Sequence, residues 1–187
     1  MQMIALSAVK TSIMAGLLAS VFTAQAALAD EHLFDELRFG AVSSIQGHEH
    51  GAAGEVTLFF DPFGHDAATG FLDSLSRPRV HVGGEIGADN INNQAYAGLS
   101  WTANLFSSKA FIEAGFGGVI HDGAIDDRHR NGPDLGCRVL FREYAAVGYR
   151  INQTWSVMGQ IEHASNADLC DPNDGMTRAG VMVGYKF

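Results

Sequence analysis

The last eleven residues, TRAGVMVGYKF, change character at every step. Ala179, Val181, Val183, Tyr185 and Phe187 fall on one face of an extended chain, and Arg178, Gly180, Met182, Gly184 and Lys186 fall on the other. A side-chain period of two belongs to a strand whose two faces meet different surroundings. One face here is apolar through to the terminal phenylalanine, which follows another aromatic by two positions.

The same alternation recurs along the chain, and no period of 3.6 is sustained anywhere after the first thirty residues. Strands are expected at roughly 36–45, 54–61, 78–88, 94–105, 109–120, 136–150, 154–165 and 176–187. Polar stretches such as GHEHGAAG, DDRHRNGPDLG and SNADLCDPNDG separate them. The first residues read differently. Lys10, the apolar run IMAGLLASVFTA and the small-x-small sites AQA and ALA make a secretory leader over 1–29. A single domain, 30–187, remains. No later apolar run approaches the roughly 20 residues of a membrane-spanning helix. No cysteine stands at the cleavage site, so a lipoprotein is not expected.

An exported chain of alternating strands that ends on an aromatic has the signature of an all-β, eight-stranded antiparallel transmembrane barrel of the bacterial outer membrane. Closure is what permits the crossing, because lipid leaves no unpaired backbone group satisfied. Eight strands enclose a lumen that side chains fill, which argues against a wide pore. The formal charge of −9 argues against nucleic acid as a partner. With the N-terminus periplasmic, the connections after the first, third, fifth and seventh strands face outward. Cys137 ends one of these connections and Cys170 lies in another. A disulfide between them is feasible in an exported protein, and two free thiols are the other reading.

One segment breaks the pattern. In TWSVMGQIEHAS, the face of Trp155, Val157, Gly159 and Ile161 continues into His163 and Ser165. The opposite face, with Ser156, Gln160 and Glu162, is more polar and suits the lumen. An imidazole and a hydroxyl thus point toward lipid near the outer end of the strand. The residues alone leave two readings open: polar groups marking the membrane interface, or a nucleophile and its base.

The residues that follow carry further information. His163, Ser165, Asn166, Ala167, Leu169, Pro172, Asn173, Asp174 and Gly175 form H-x-S-N-A-x-L-x-x-P-N-D-G. This block resembles the PagL family of outer-membrane lipid A 3-O-deacylases, and EAGFGG (113–118) resembles that family's fifth strand more loosely. The resemblance implies a serine esterase that hydrolyses the ester-linked acyl chain at position 3 of lipid A, with lipopolysaccharide as substrate and no cofactor. It implies Ser165 as nucleophile and His163 as general base. Asn173, Asn166 and Gly175 match the part of the block expected to supply oxyanion donors and substrate contacts.

The chain departs from the family at the acid, two residues past the glycine, where Thr177 stands. A hydroxyl can hold an imidazole's tautomer but cannot balance an imidazolium. Three arrangements follow: a dyad held by Thr177, a triad completed by a loop aspartate with Asp174 first and Asp168 and Asp171 behind it, or an inactive relative. The alternative functions are a non-catalytic structural or adhesive barrel and an esterase acting on phospholipids. Monomer and homodimer both remain open. His48, Glu49 and His50 with His65 show no regular ligand spacing, so no metal is expected. Arg128 and Arg130 are candidates for contacts with lipopolysaccharide phosphates. Glu85, Glu113, Arg138, Arg142 and Glu143 lie in expected strands, and interior ion pairs are expected among them.

Overall fold

The computed structural model describes residues 34–46, 49–88, 90–105, 109–126 and 132–187. The leader, His48, Arg128 and Arg130 lie outside these residues. The strands are β1 (Glu36–Ser44), β2 (Ala52–Phe60), β3 (Arg79–Gly87), β4 (Gln94–Asn104), β5 (Ala110–His121), β6 (Val139–Arg150), β7 (Trp155–Ser165) and β8 (Met176–Lys186). Each pairs antiparallel with its sequence neighbours, and β1 pairs with β8, which closes the expected eight-stranded barrel.

Two boundaries differ by more than one residue from the sequence expectation. β2 starts earlier, at Ala52, and β6 starts later, at Val139. Gly136 takes a left-handed φ of 66°, and Cys137 is bonded to Cys170, so the chain cannot be extended there. The connection from β2 to β3 also holds a short helix, Phe71–Ser76, closed by Arg77 Nε donating to Asp73 at 2.7 Å. Among the described residues no helix is long and apolar enough to cross a membrane.

The outward face is apolar, and rings mark both of its edges. Trp155 packs edge-to-face with Tyr185 and Tyr185 with Phe187, with centroids 5.0 and 5.3 Å apart, at the rim that carries Glu36 and Phe187. Phe116 stacks on Phe141 at 6.0 Å near the other rim. Ten residue steps separate Trp155 from Ser165. At about 3.3 Å a step and a tilt near 40°, they climb roughly 25 Å, the height of the apolar band of an outer-membrane barrel.

The lumen is filled by paired charges. Arg38 meets Glu36 at 2.9 Å and Glu113 at 2.5 Å, and Arg79 reaches Asp35, Glu36 and Glu113. Nearer the other rim, Arg178 joins Glu49 at 2.6 Å and Glu85 at 2.5 Å, and Arg142 joins Glu162. Glu49 is therefore a buried salt-bridge residue. His65 is spent on backbone, with Nδ1 2.7 Å from the Arg77 carbonyl. A cavity of about 660 Å³ opens at the rim of Glu36, Asn104 and Lys186, the end remote from Ser165.

Candidate active site

β7 carries His163 and Ser165 on the outward face, each partly exposed, between the exposed Ile161 and the buried neighbours Glu162 and Ala164. Pairing registers then fix what stands beside them. Thr177 of β8 lies directly opposite His163, and Glu143 of β6 lies opposite it on the other side. Phe141 lies opposite Ser165, so the serine stands at the level of the aromatic ring pair.

Glu143, one of the five strand charges among which interior ion pairs are expected, faces outward instead. Arg142 and Tyr144 turn inward, so the alternation sends Glu143 out with Phe141 and Val147. A carboxylate on the lipid face is costly, and this one is registered against an imidazole. Arg138 precedes β6 and donates to the carbonyls of His121 and Gly123 at 2.9 Å each.

The imidazole is held from two directions. Its Nδ1 is 2.8 Å from Thr177 Oγ1. Gly175, with φ 67°, lies under the ring: a Cβ there would come within 3.0 Å of His163 Cε1 and 3.4 Å of Nε2. Glycine is required for both the backbone conformation and the space. Met176 pairs with Ala164, so Gly175 runs alongside Ser165. The Nε2 edge is thus turned toward the serine end of the strand. Among the described residues the Ser165 hydroxyl has no hydrogen-bond partner. Such contacts commonly tighten only when substrate binds.

Past Ser165 the chain turns sharply through two left-handed residues, Ala167 at φ 52° and Asp168 at φ 60°. Among the described residues their N–H groups have no acceptor. Unpaired backbone donors in such a turn form a concavity suited to an anion. Asn173 accepts from the Asn166 N–H at 3.1 Å and donates to Asp168 at 2.8 Å, which leaves one amide proton free. Asn166 is buried, and its two amide protons go to the carbonyls of Leu135 and Pro172, each at 3.0 Å. It builds the loop and has no donor left for an oxyanion.

Asp174 does not reach the histidine. Its carboxylate accepts from the Asp134 N–H at 2.9 Å, and its own N–H donates to the Asp134 carbonyl at 3.1 Å. Among the described residues no carboxylate pairs with His163. Cys137 and Cys170 are disulfide-bonded, with Cα atoms 5.7 Å apart, and tie the β5–β6 connection to the β7–β8 connection. A Cβ at Gly136 would stand 2.1 Å from the Pro172 carbonyl, so the two loops press backbone to backbone. One further residue, invisible to motif reasoning, completes the site. Gln46, just past β1, accepts from Thr177 Oγ1 at 2.6 Å.

A family model described as lipid A 3-O-deacylase (PagL) matches residues 52–186. The chain belongs to the PagL family. No curated protein matches the chain. In fold, it is similar to the crystal structure of the outer membrane enzyme PagL, at 18% identity over 81% of this chain and 99% of that one, with a TM-score of 0.64. It is also similar to the N-terminal β-barrel domain of Pseudomonas aeruginosa OprF, at 9% identity over 83% and 98% of the two chains, with a TM-score of 0.56. Membership of the PagL family and likeness to these barrels agree on an outer-membrane protein. The family match begins at residue 52, so Gln46 falls before it.

Proposed function

We propose that this protein is a serine esterase of the outer leaflet that hydrolyses the ester-linked acyl chain at position 3 of lipid A. Residues 1–29 are its export leader in this reading. The observation that carries the proposal is the lipid-facing histidine held through Nδ1, two residues before Ser165 on the same strand face, with its Cε1–Nε2 edge against Gly175. Ser165 Oγ attacks the ester carbonyl carbon while His163 Nε2 takes its proton. The oxyanion is received by the Ala167 and Asp168 N–H groups and the free amide proton of Asn173. Collapse breaks the bond to the sugar oxygen, which takes the proton back from His163. Water then hydrolyses the acyl-serine with His163 again as base. A site on the barrel's outer wall, at the aromatic ring level, receives the acyl chain directly from the membrane.

Glu143 brings the negative charge that Thr177 lacks. Directly opposed residues of paired strands have Cβ atoms about 5 Å apart, which sets the Glu143 carboxylate beside the imidazole without a hydrogen bond between them. Glu143→Gln is expected to lower kcat by about tenfold with KM within about twofold, well short of the roughly 10⁴ that a hydrogen-bonded triad carboxylate supplies. Steady-state deacylation rates measure this.

The deciding experiment weighs lipid A by mass spectrometry after refolded protein has met lipopolysaccharide. Loss of one 3-hydroxyacyl chain is the expected result. Intact lipid A of several types, from a demonstrably folded barrel, overturns the proposal. That outcome would favour the non-catalytic structural or adhesive barrel, to which the lack of any carboxylate bonded to His163 points. Acyl loss from phospholipid alone would redirect the substrate.

A further inference from the structure

A base in this arrangement needs its proton on Nδ1, so that Nε2 has a lone pair for the serine proton. A carboxylate guarantees that, because it only accepts. A threonine hydroxyl does not, since it can donate to Nδ1 as readily as it accepts from it. If Thr177 donated, the imidazole would carry its proton on Nε2 and would have nothing to offer Ser165.

The surroundings of Thr177 remove that freedom. Its Oγ1 is 2.6 Å from Gln46 Oε1. Gln46 Nε2 is 2.8 Å from the Asp174 carbonyl oxygen. That carbonyl only accepts, so the amide nitrogen of Gln46 must face it. The amide oxygen must then face Thr177. An amide oxygen only accepts, so the Thr177 hydroxyl must donate to it. The hydroxyl proton is committed, and the oxygen's remaining capacity is to accept from His163 Nδ1–H, 2.8 Å away. The chain is anchored at both ends. Asp174 is locked to Asp134 by two hydrogen bonds, one to its carboxylate and one from its N–H, and the Gln46 carbonyl accepts from Ser44 Oγ at 3.1 Å.

We propose that Gln46 is the positioning residue of this site: acting through Thr177, it fixes the His163 proton on Nδ1 and does for the tautomer what a carboxylate would otherwise do. The role rests on the esterase reading above. Gln46 touches neither substrate nor reacting atoms. It acts only by deciding which way one hydroxyl points.

Two measurements test it on the full-length refolded protein. The first is kinetic. Gln46→Leu should lower kcat about tenfold with KM unchanged, and adding Thr177→Val should cost little more, since both break the same chain. In a Thr177→Glu background, where a carboxylate meets Nδ1 without help, Gln46→Leu should be nearly silent. The same loss in both backgrounds, or no loss in the unaltered one, overturns the role. The second is independent of turnover. Nitrogen-15 spectra of histidine-labelled protein, with His163 assigned by His163→Gln, should show neutral His163 protonated on Nδ1, shifting toward Nε2 in Gln46→Leu. Nε2 protonation in the unaltered protein overturns the proposal. Should lipopolysaccharide remain intact while the tautomer behaves as expected, the esterase reading falls and the role of Gln46 in setting the imidazole stands.

Discussion

Ser165→Ala should lower the rate of acyl release by a factor on the order of 10⁴ to 10⁶, the range over which removal of an activated serine acts in enzymes of this type. The barrel itself should be untouched. Ser165 is the last residue of β7, it is partly exposed, and its hydroxyl bonds to nothing among the described residues. Removing one oxygen there leaves no buried group unsatisfied and no cavity in the core. Heat-modified mobility on electrophoresis should therefore match the parent while turnover collapses. His163→Ala should cost about as much, and the pair together little more than either alone, because nucleophile and base act as a unit. Additive losses would mean that the two residues work separately. Mass-spectrometric turnover above about one per cent of the parent in Ser165→Ala would remove the serine from the mechanism.

Much of this was legible in sequence because a strand displays its surroundings at every second residue. The eight strands followed from alternation, as did the outward placement of His163 and Ser165. Other features needed the closed barrel. Gln46 and Thr177 are 131 positions apart, and only the pairing of β1 with β8 brings them together. No local pattern marks a glutamine in a turn as the partner of a hydroxyl in the last strand. Glu143 is a different case. Its face was readable from Val139, Phe141, Val147 and Tyr149 at the same parity. Only its charge argues for the lumen. The Phe71–Ser76 helix is too short to show any period at all.

A change in the lumen should separate barrel from site. Glu113 is fully enclosed, and the donors of two guanidiniums converge on it: Arg38 at 2.5 and 2.9 Å, and Arg79. Thr102 Oγ1 and the Tyr144 hydroxyl add bonds of 2.6 and 2.7 Å. Glu113→Leu would strip both arginines of a shared counter-charge and leave the hydroxyl protons of Thr102 and Tyr144 without their acceptor. Breaking one side of a buried ion network costs about 3–5 kcal/mol, a large part of the 5–15 kcal/mol that a domain has in total. Urea unfolding in detergent should show a midpoint lowered accordingly, or failure to refold. A midpoint equal to the parent would mean that the lumen network contributes specificity without stability. Glu113 pairs with Ala146 and Thr102, whereas the site pairs at Glu143 and Thr177, nearer the other rim. Acyl release per folded molecule should therefore be preserved in Glu113→Leu, the reverse of Ser165→Ala. In the proposed reading, stability resides in the ion-paired lumen and reactivity on the outer wall, because at the level of the site side chains fill the space that the strands enclose.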